Sequence, residues 1–115
     1  MTQAQQAVLV WPLLALAART QQILSYSDVE GFTGIARQGQ NHALGLIHDY
    51  CKGRGFPLLN ALVVRRDTGL PGERFPENMT PIQIQVEQAR VFMFDWSGHT
   101  KPRSQDFQRG HRKGQ

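Results

Sequence analysis

Apolar positions fall into helical spacing at both ends of this chain and into one unbroken run near its middle. Between residues 4 and 19, Val8, Trp11, Leu14 and Ala18 recur every three or four positions, which predicts an amphipathic helix. Pro12 interrupts it, so either the helix starts near Trp11 with proline in its first turn, or it is kinked there. Gln22 to Tyr26, with Ile23 and Leu24, reads as one brief strand. Ser27-Asp28-Val29-Glu30 then has the form of a capping box, and Gly31 and Gly34 keep the helix that follows short. A second helix is predicted from about Arg37 to Lys52. Ala43, Leu44, Ile47, Tyr50 and Cys51 share one face, Gln40, His42, Asp49 and Lys52 lie off it, and Gly53 and Gly55 supply the stop.

Leu58 to Arg66 is the strongest strand candidate, bounded by Pro57 and by Asp67-Thr68-Gly69. The turn is expected to return a short strand near Leu70 to Phe75, confined to a sheet edge by Pro71. After a loop, Thr80-Pro81 matches an N-cap followed by proline at the first helical position. That helix should run to about Phe94 with Ile82, Val86, Ala89 and Met93 as its buried stripe. Phe92 and Trp96 are expected to close the core beside Trp11. Helix, helix, strand and hairpin is the order of a small α+β winged helix, a helix-turn-helix plus β-hairpin. It is expected over residues 1–96, carries an added C-terminal helix, and is followed by a disordered basic tail over 97–115.

Charge sharpens that division. The chain has 115 residues and a net charge of +4, enough for one domain. Residues 1–96 hold eight basic and eight acidic side chains, so the excess lies wholly in the tail, with Lys101, Arg103, Arg109, Arg112 and Lys113 against Asp106. Phe107 is the tail's one large apolar residue, too little to offset the entropy of ordering. Such a segment is either a phosphate-seeking arm or a solubilising end with no partner. One cysteine cannot form an internal disulfide, and Ala7 to Ala18 is too short to span a bilayer and lacks a basic residue before it. A cytoplasmic protein without a membrane partner is the expectation.

Candidate chemistry is sparse. His48 and Cys51 stand three residues apart on one helix, but no second Cys/His pair completes a metal site, and Asp49 points to another side. No cofactor, metal or catalytic residue is expected. Arg37, Gln38, Gln40, Asn41 and His42 cluster at the front of the second helix, where Arg, Gln and Asn can read base edges and a helix N-terminus favours phosphate. Arg65 and Arg66, just before the turn, are placed to contact phosphate.

The order of motifs also resembles one DNA-repair family. Tyr26-Ser27-Asp28-Val29 is similar to the Tyr-Gly-Glu-Val type segment that opens the helix-turn-helix of alkylguanine-DNA alkyltransferases and alkyltransferase-like proteins. Ala36-Arg37 and Asn41-His42-Ala43-Leu44 resemble that family's recognition helix. Pro57, Val63-Val64 and Gly69-Leu70-Pro71-Gly72 resemble its active-site strand and turn. The resemblance covers roughly residues 8–72. It implies a DNA-binding fold, with Tyr26 and Ser27 at the contact surface and the base-flipping arginine at Arg37, or at Gln38 when Ala43-Leu44 is the anchor. The family's repair reaction requires Pro-Cys-His-Arg, where this chain has Leu59-Asn60-Ala61-Leu62, without thiol, histidine or arginine. Non-enzymatic binding of double-stranded DNA is therefore the expected function. The alternative is a protein-interaction module, homodimeric or with another protein, on the same fold without nucleic acid.

Overall fold

Three of the four α-helices begin with the same device. In the computed structural model, which describes residues 1–107, Thr2 Oγ1 accepts from the Gln5 amide (3.1 Å) while Gln5 Oε1 accepts from the Thr2 amide (2.8 Å). Thr80 and Gln83 repeat the exchange at 3.2 and 2.8 Å, and Ser25 and Asp28 do so at 3.0 and 2.9 Å. These reciprocal bonds satisfy amides that a helix start otherwise leaves bare. They open α1 (Gln3–Arg19), α4 (Pro81–Met93) and α2 (Tyr26–Thr33) respectively. The box expected at Ser27–Glu30 therefore lies two residues earlier. Ser25 has the extended backbone a cap requires (φ −87°, ψ 164°), and Ser27 is already inside the helix. α3 (Arg37–Arg54) follows a turn at Gly34, and Gly55 ends it in the left-handed conformation (φ 73°). α1 runs unbroken through Pro12, whose side chain is exposed, so the carbonyl left without its usual amide is on the side facing water.

The central apolar run departs from expectation. Leu59–Leu62 forms a 3₁₀ turn, and only Val63–Val64 is strand, here β2. It pairs in parallel with β1 (Leu24–Ser25), placing Leu24 beside Val63 and Ser25 beside Val64. No strand returns from the turn. Arg65 donates its amide to the Leu70 carbonyl (2.8 Å) and Gly69 donates to Arg65 (2.8 Å), so the chain closes on itself and continues in turns to residue 80. The winged-helix assignment is thus overturned: the fold is mostly helical, with four helices and one two-stranded parallel sheet, and no β-hairpin among the described residues. Every residue from Leu58 to Val64 is buried. A short run buried on all sides has no period from which to tell strand from helical turn, and Pro71 cannot donate to a ladder.

α1 packs along α3, and Trp11 stands at the centre of an aromatic cluster with Tyr50, Trp96 and Phe107 at centroid distances of 5.5, 5.7 and 6.1 Å. The tail boundary moves accordingly. Residues up to 107 fold back, with short 3₁₀ turns at Trp96–Gly98 and Ser104–Phe107, and Phe107 is buried. One aromatic ring seated against two others, Trp11 and Tyr50, is enough to order a segment that composition alone marks as tail.

α4 has the predicted bounds but not the predicted orientation. Ile82, Val86, Ala89 and Met93 face outward, while Ile84, Glu87 and Val91 are buried. The 3₁₀ segment explains the reversal. Glu87 Oε2 accepts from the buried Leu58 amide (2.7 Å), and Gln88 Nε2 donates to the Ala61 carbonyl (2.9 Å). Backbone groups that no strand pairs need side-chain partners, and α4 supplies them from its inner face. No described helix is long and apolar enough to cross a membrane.

Candidate nucleic-acid interface

The parallel bridge between β1 and β2 fixes where the arginines lie. Ser25 ends β1 and caps α2, Val64 ends β2, and Arg65 and Arg66 follow at once. Arg66 Nη2 donates to Ser25 Oγ (3.2 Å) and lies 3.8 Å from Asp28 Oδ1. Arg65 binds Asp67 through two bonds of 3.0 and 2.8 Å, which raise the guanidinium's pKa and hold the carboxyl below its usual range. The Ser25 amide, donating to Asp28, is the main cause of that carboxyl's lowered pKa.

Arg37, the first residue of α3, lies over the Tyr26 ring with Cζ 4.2 Å from its centroid. The Tyr26 hydroxyl accepts from the Gly72 amide (3.1 Å). A Cβ at Gly72 would stand 2.8 Å from that hydroxyl and 2.9 Å from Arg37 Nη2, so a larger residue there would have to push these two side-chain ends aside. A second tie holds the same segment to α3. Glu77 Oε2 takes bonds from Lys52 Nζ (2.7 Å) and lies 2.6 Å from His48 Nε2, while His48 Nδ1 lies 3.0 Å from Asp49. His48 is therefore part of a structural clasp.

Ser25, Tyr26, Ser27, Arg37, Arg65, Arg66 and Asp67 line one hollow of about 290 Å³ at the start of α2. Behind the Tyr26 ring, a small crevice is lined by Asn41, Asn60, Val63 and Arg74 among others, with room for about one water. Asn60, at the position of the resembled family's cysteine, is buried, and its Oδ1 has no hydrogen-bond partner among the described residues. Arg37, Arg65, Arg66 and Arg74 line the two hollows with Asp67 as the one acidic lining residue, and Asp28 lies 3.8 Å from Arg66. The chain's own thiol, Cys51, is elsewhere in the core, where burial pushes its pKa up to about 12 and keeps it protonated at neutral pH.

The structure thus brings together Tyr26, Ser27, Arg37, Arg65 and Arg66, with Asn41 beside them. It does not place the other candidates there. Gln38 and His42 line a separate shallow surface with Met1, Gln6 and the 33–36 turn. Gln40 is wholly buried, and its Nε2 donates to the carbonyls of Tyr26 and Ile35, both at 2.9 Å. Gln40 is therefore out of reach of a base edge and instead satisfies the backbone of the α2–α3 turn. Lys101 and Arg103 lie with Tyr50 and Arg54 on another surface, and Arg103 is 3.7 Å from Asp106. Arg109, Arg112 and Lys113 fall outside the described residues. Two contributors escaped sequence reading: Gly72, which lets the turn close on Tyr26, and Ser25, whose spacing to Asp28 was the available signal. No family model, no curated protein and no solved structure matches this chain.

Proposed function

We propose that this chain binds double-stranded DNA without modifying it, through the face where α2 and α3 begin. One observation carries the reading: three guanidiniums from two separate parts of the chain, Arg37 on α3 and Arg65 and Arg66 after β2, converge on the first turn of an α-helix. Arginine forks match phosphate oxygens in pairs, and three of them outweigh the Asp28 carboxylate that caps this helix start. An amide at Asn60 accepts no alkyl group, and Ala61 offers no base, so binding is the activity that this arrangement suits.

Fluorescence anisotropy with a labelled duplex tests the reading. Three phosphate contacts give a slope of about −2.7 in log affinity against log salt, or roughly a 40-fold loss between 50 and 200 mM. Arg65→Ala with Arg66→Ala should remove about two-thirds of that slope, and Arg37→Ala about a third. Undetectable binding of the full chain at tens of micromolar in 50 mM salt would overturn the proposal, as would affinity unchanged in the triple variant.

A further inference from the structure

Two adjoining hollows lie where α1 and α3 end. One, of about 250 Å³, is lined by Trp11, Trp96 and Arg19 among others. The other, of about 570 Å³, is lined by Tyr50, Arg54, Arg103 and Asp106 among others. His99 and Lys101 belong to both. Arg19 and Arg54 are the last residues of α1 and α3, whose carbonyl ends favour a cation and so hold it in place. Arg19, Arg54 and Lys101 form no ion pair among the described residues. Arg103 stands 3.7 Å from Asp106, whose carboxylate already accepts the Arg103 amide at 2.8 Å. Four cations thus face one carboxylate, whereas in the hollow at the start of α2 Arg65 is tied to Asp67 by two bonds.

An exposed ring stands between these cations. His99 is stacked on Phe94, with centroids 5.2 Å apart and planes within 5°, and its centroid is 4.7 Å from that of Phe56. Two phenylalanines hold the imidazole in place on one side while the other meets water, which makes it a ready platform for an unstacked base. The neighbouring Asp95 is turned to the Ser97 hydroxyl at 2.7 Å. We propose that this face binds single-stranded nucleic acid. A base stacks on the outer side of His99, Arg54 and Arg103 hold phosphates on one side of it, Arg19 holds one on the other, and Lys101 lies between. A duplex keeps its bases stacked inside and cannot use the ring. A lone small anion is disfavoured by the two helix carbonyl ends, whereas cations spread over two hollows match a chain of phosphates. The sequence past Phe107 adds Arg109, Arg112 and Lys113 and no acidic residue. This face is separate from the arginine hollow: Arg37 and Arg54 are the first and last residues of α3, about 25 Å apart along its axis.

Anisotropy of a labelled oligothymidylate of about 15 nucleotides, titrated with the full chain, tests this independently of duplex binding. Four phosphate contacts on a single strand give a slope of about −2.8 in log affinity against log salt, and Lys101→Gln with Arg103→Gln should halve it. His99→Ala should weaken binding about 10-fold at unchanged slope, and His99→Phe, which keeps a stacking ring, should retain it. Both of these exchanges should leave duplex affinity within about 2-fold, and the Arg37, Arg65 and Arg66 triple alanine variant should bind the oligothymidylate as the wild type does. Undetectable binding at tens of micromolar in 50 mM salt overturns the proposal, whatever the duplex does. So does an oligothymidylate affinity lost in the triple variant, which would seat the strand at the start of α3. Equal binding by His99→Ala and His99→Phe, or displacement of the strand by polyglutamate at matched charge, also overturns it, because charge alone would then account for the affinity.

Discussion

α3 and α4 each carry an apolar stripe legible in the sequence, and they use it in opposite ways. On α3 the stripe Ala43, Leu44, Ile47 and Cys51 turns inward against α1. On α4 the stripe Ile82, Val86, Ala89 and Met93 turns outward. Both helices also send one long polar side chain into the core: Gln40 to the carbonyls of the α2–α3 turn, Glu87 to the amide that precedes the 3₁₀ turn. On α3 the polar demand and the apolar stripe lie on neighbouring parts of one face, and both are met. On α4 they lie on opposite faces. The buried backbone wins, because an orphaned amide in the core costs about as much as burying a whole aliphatic side chain contributes. Periodicity therefore identifies which residues share a face. Which face turns inward depends on the hydrogen-bond needs of whatever the helix packs on.

The sharpest way to break this comparison uses two isoleucines two residues apart. Ile84→Ala should cost about 2–4 kcal/mol, the loss of a buried side chain plus its cavity. Ile82→Ala should stay within about 0.5 kcal/mol. Urea unfolding distinguishes them, and equal costs would mean that α4 is turned as its pattern first implied. Next in size, Glu87→Ala should cost about 2 kcal/mol by stranding the Leu58 amide, and Gln40→Ala a similar amount by stranding two carbonyls. Glu87→Gln, which keeps an acceptor, should recover part of the loss. The two alanine effects should add, since the side chains share no partner; strong coupling would show that the two polar insertions form one network.

Thr80→Ala should cost about 1 kcal/mol through the lost cap of α4, and Thr2→Ala about the same through α1. If only Thr80 matters, the first turn of α1 is dispensable. The smallest effect is a pH dependence on the α3 side. Lys52 first and His48 second hold the Glu77 carboxyl below its ordinary value of 4.5. Because the folded pKa is depressed, the clasp contributes fully above that value, and its contribution fades as pH falls through the folded pKa. The urea midpoint of the wild type should therefore drop more steeply between about pH 5 and pH 3 than that of Glu77→Gln. Parallel curves would show that the clasp adds nothing to stability.

Much of the helical framework was legible because its signals are local. Thr80-Pro81 announces α4 one residue before it begins, and Gly55 stops α3 where a left-handed residue is needed. The pairing of Trp11 with Trp96 followed from their apolar context and is present. What failed depended on distant partners. Leu58 to Arg66 looked like a strand because nothing in the run shows that α4 will supply its hydrogen bonds. Phe107 looked too isolated to order a segment, since its partners Trp11 and Tyr50 lie far back in the chain. At the candidate interface, Tyr26, Arg37, Arg65 and Arg66 line one hollow although they lie far apart in the sequence. Gln40 does not join them, because its outward-looking position in the heptad conceals the turn it serves. The stripe of α4 is legible as a group, but the sequence does not show that it faces outward.

The meeting of Trp11 with Trp96 has a further consequence. These are the chain's two tryptophans, one from its first helix and one from beyond its last, with ring centroids 5.7 Å apart and planes near perpendicular. Indoles this close couple their excited states, so the folded protein contains its own optical gauge. The coupled signal exists only while the N-terminal helix and the C-terminal segment are in contact, and either tryptophan replaced by phenylalanine should abolish it. Closure of the fold from end to end can therefore be followed in unlabelled protein, separately from the melting of its helices.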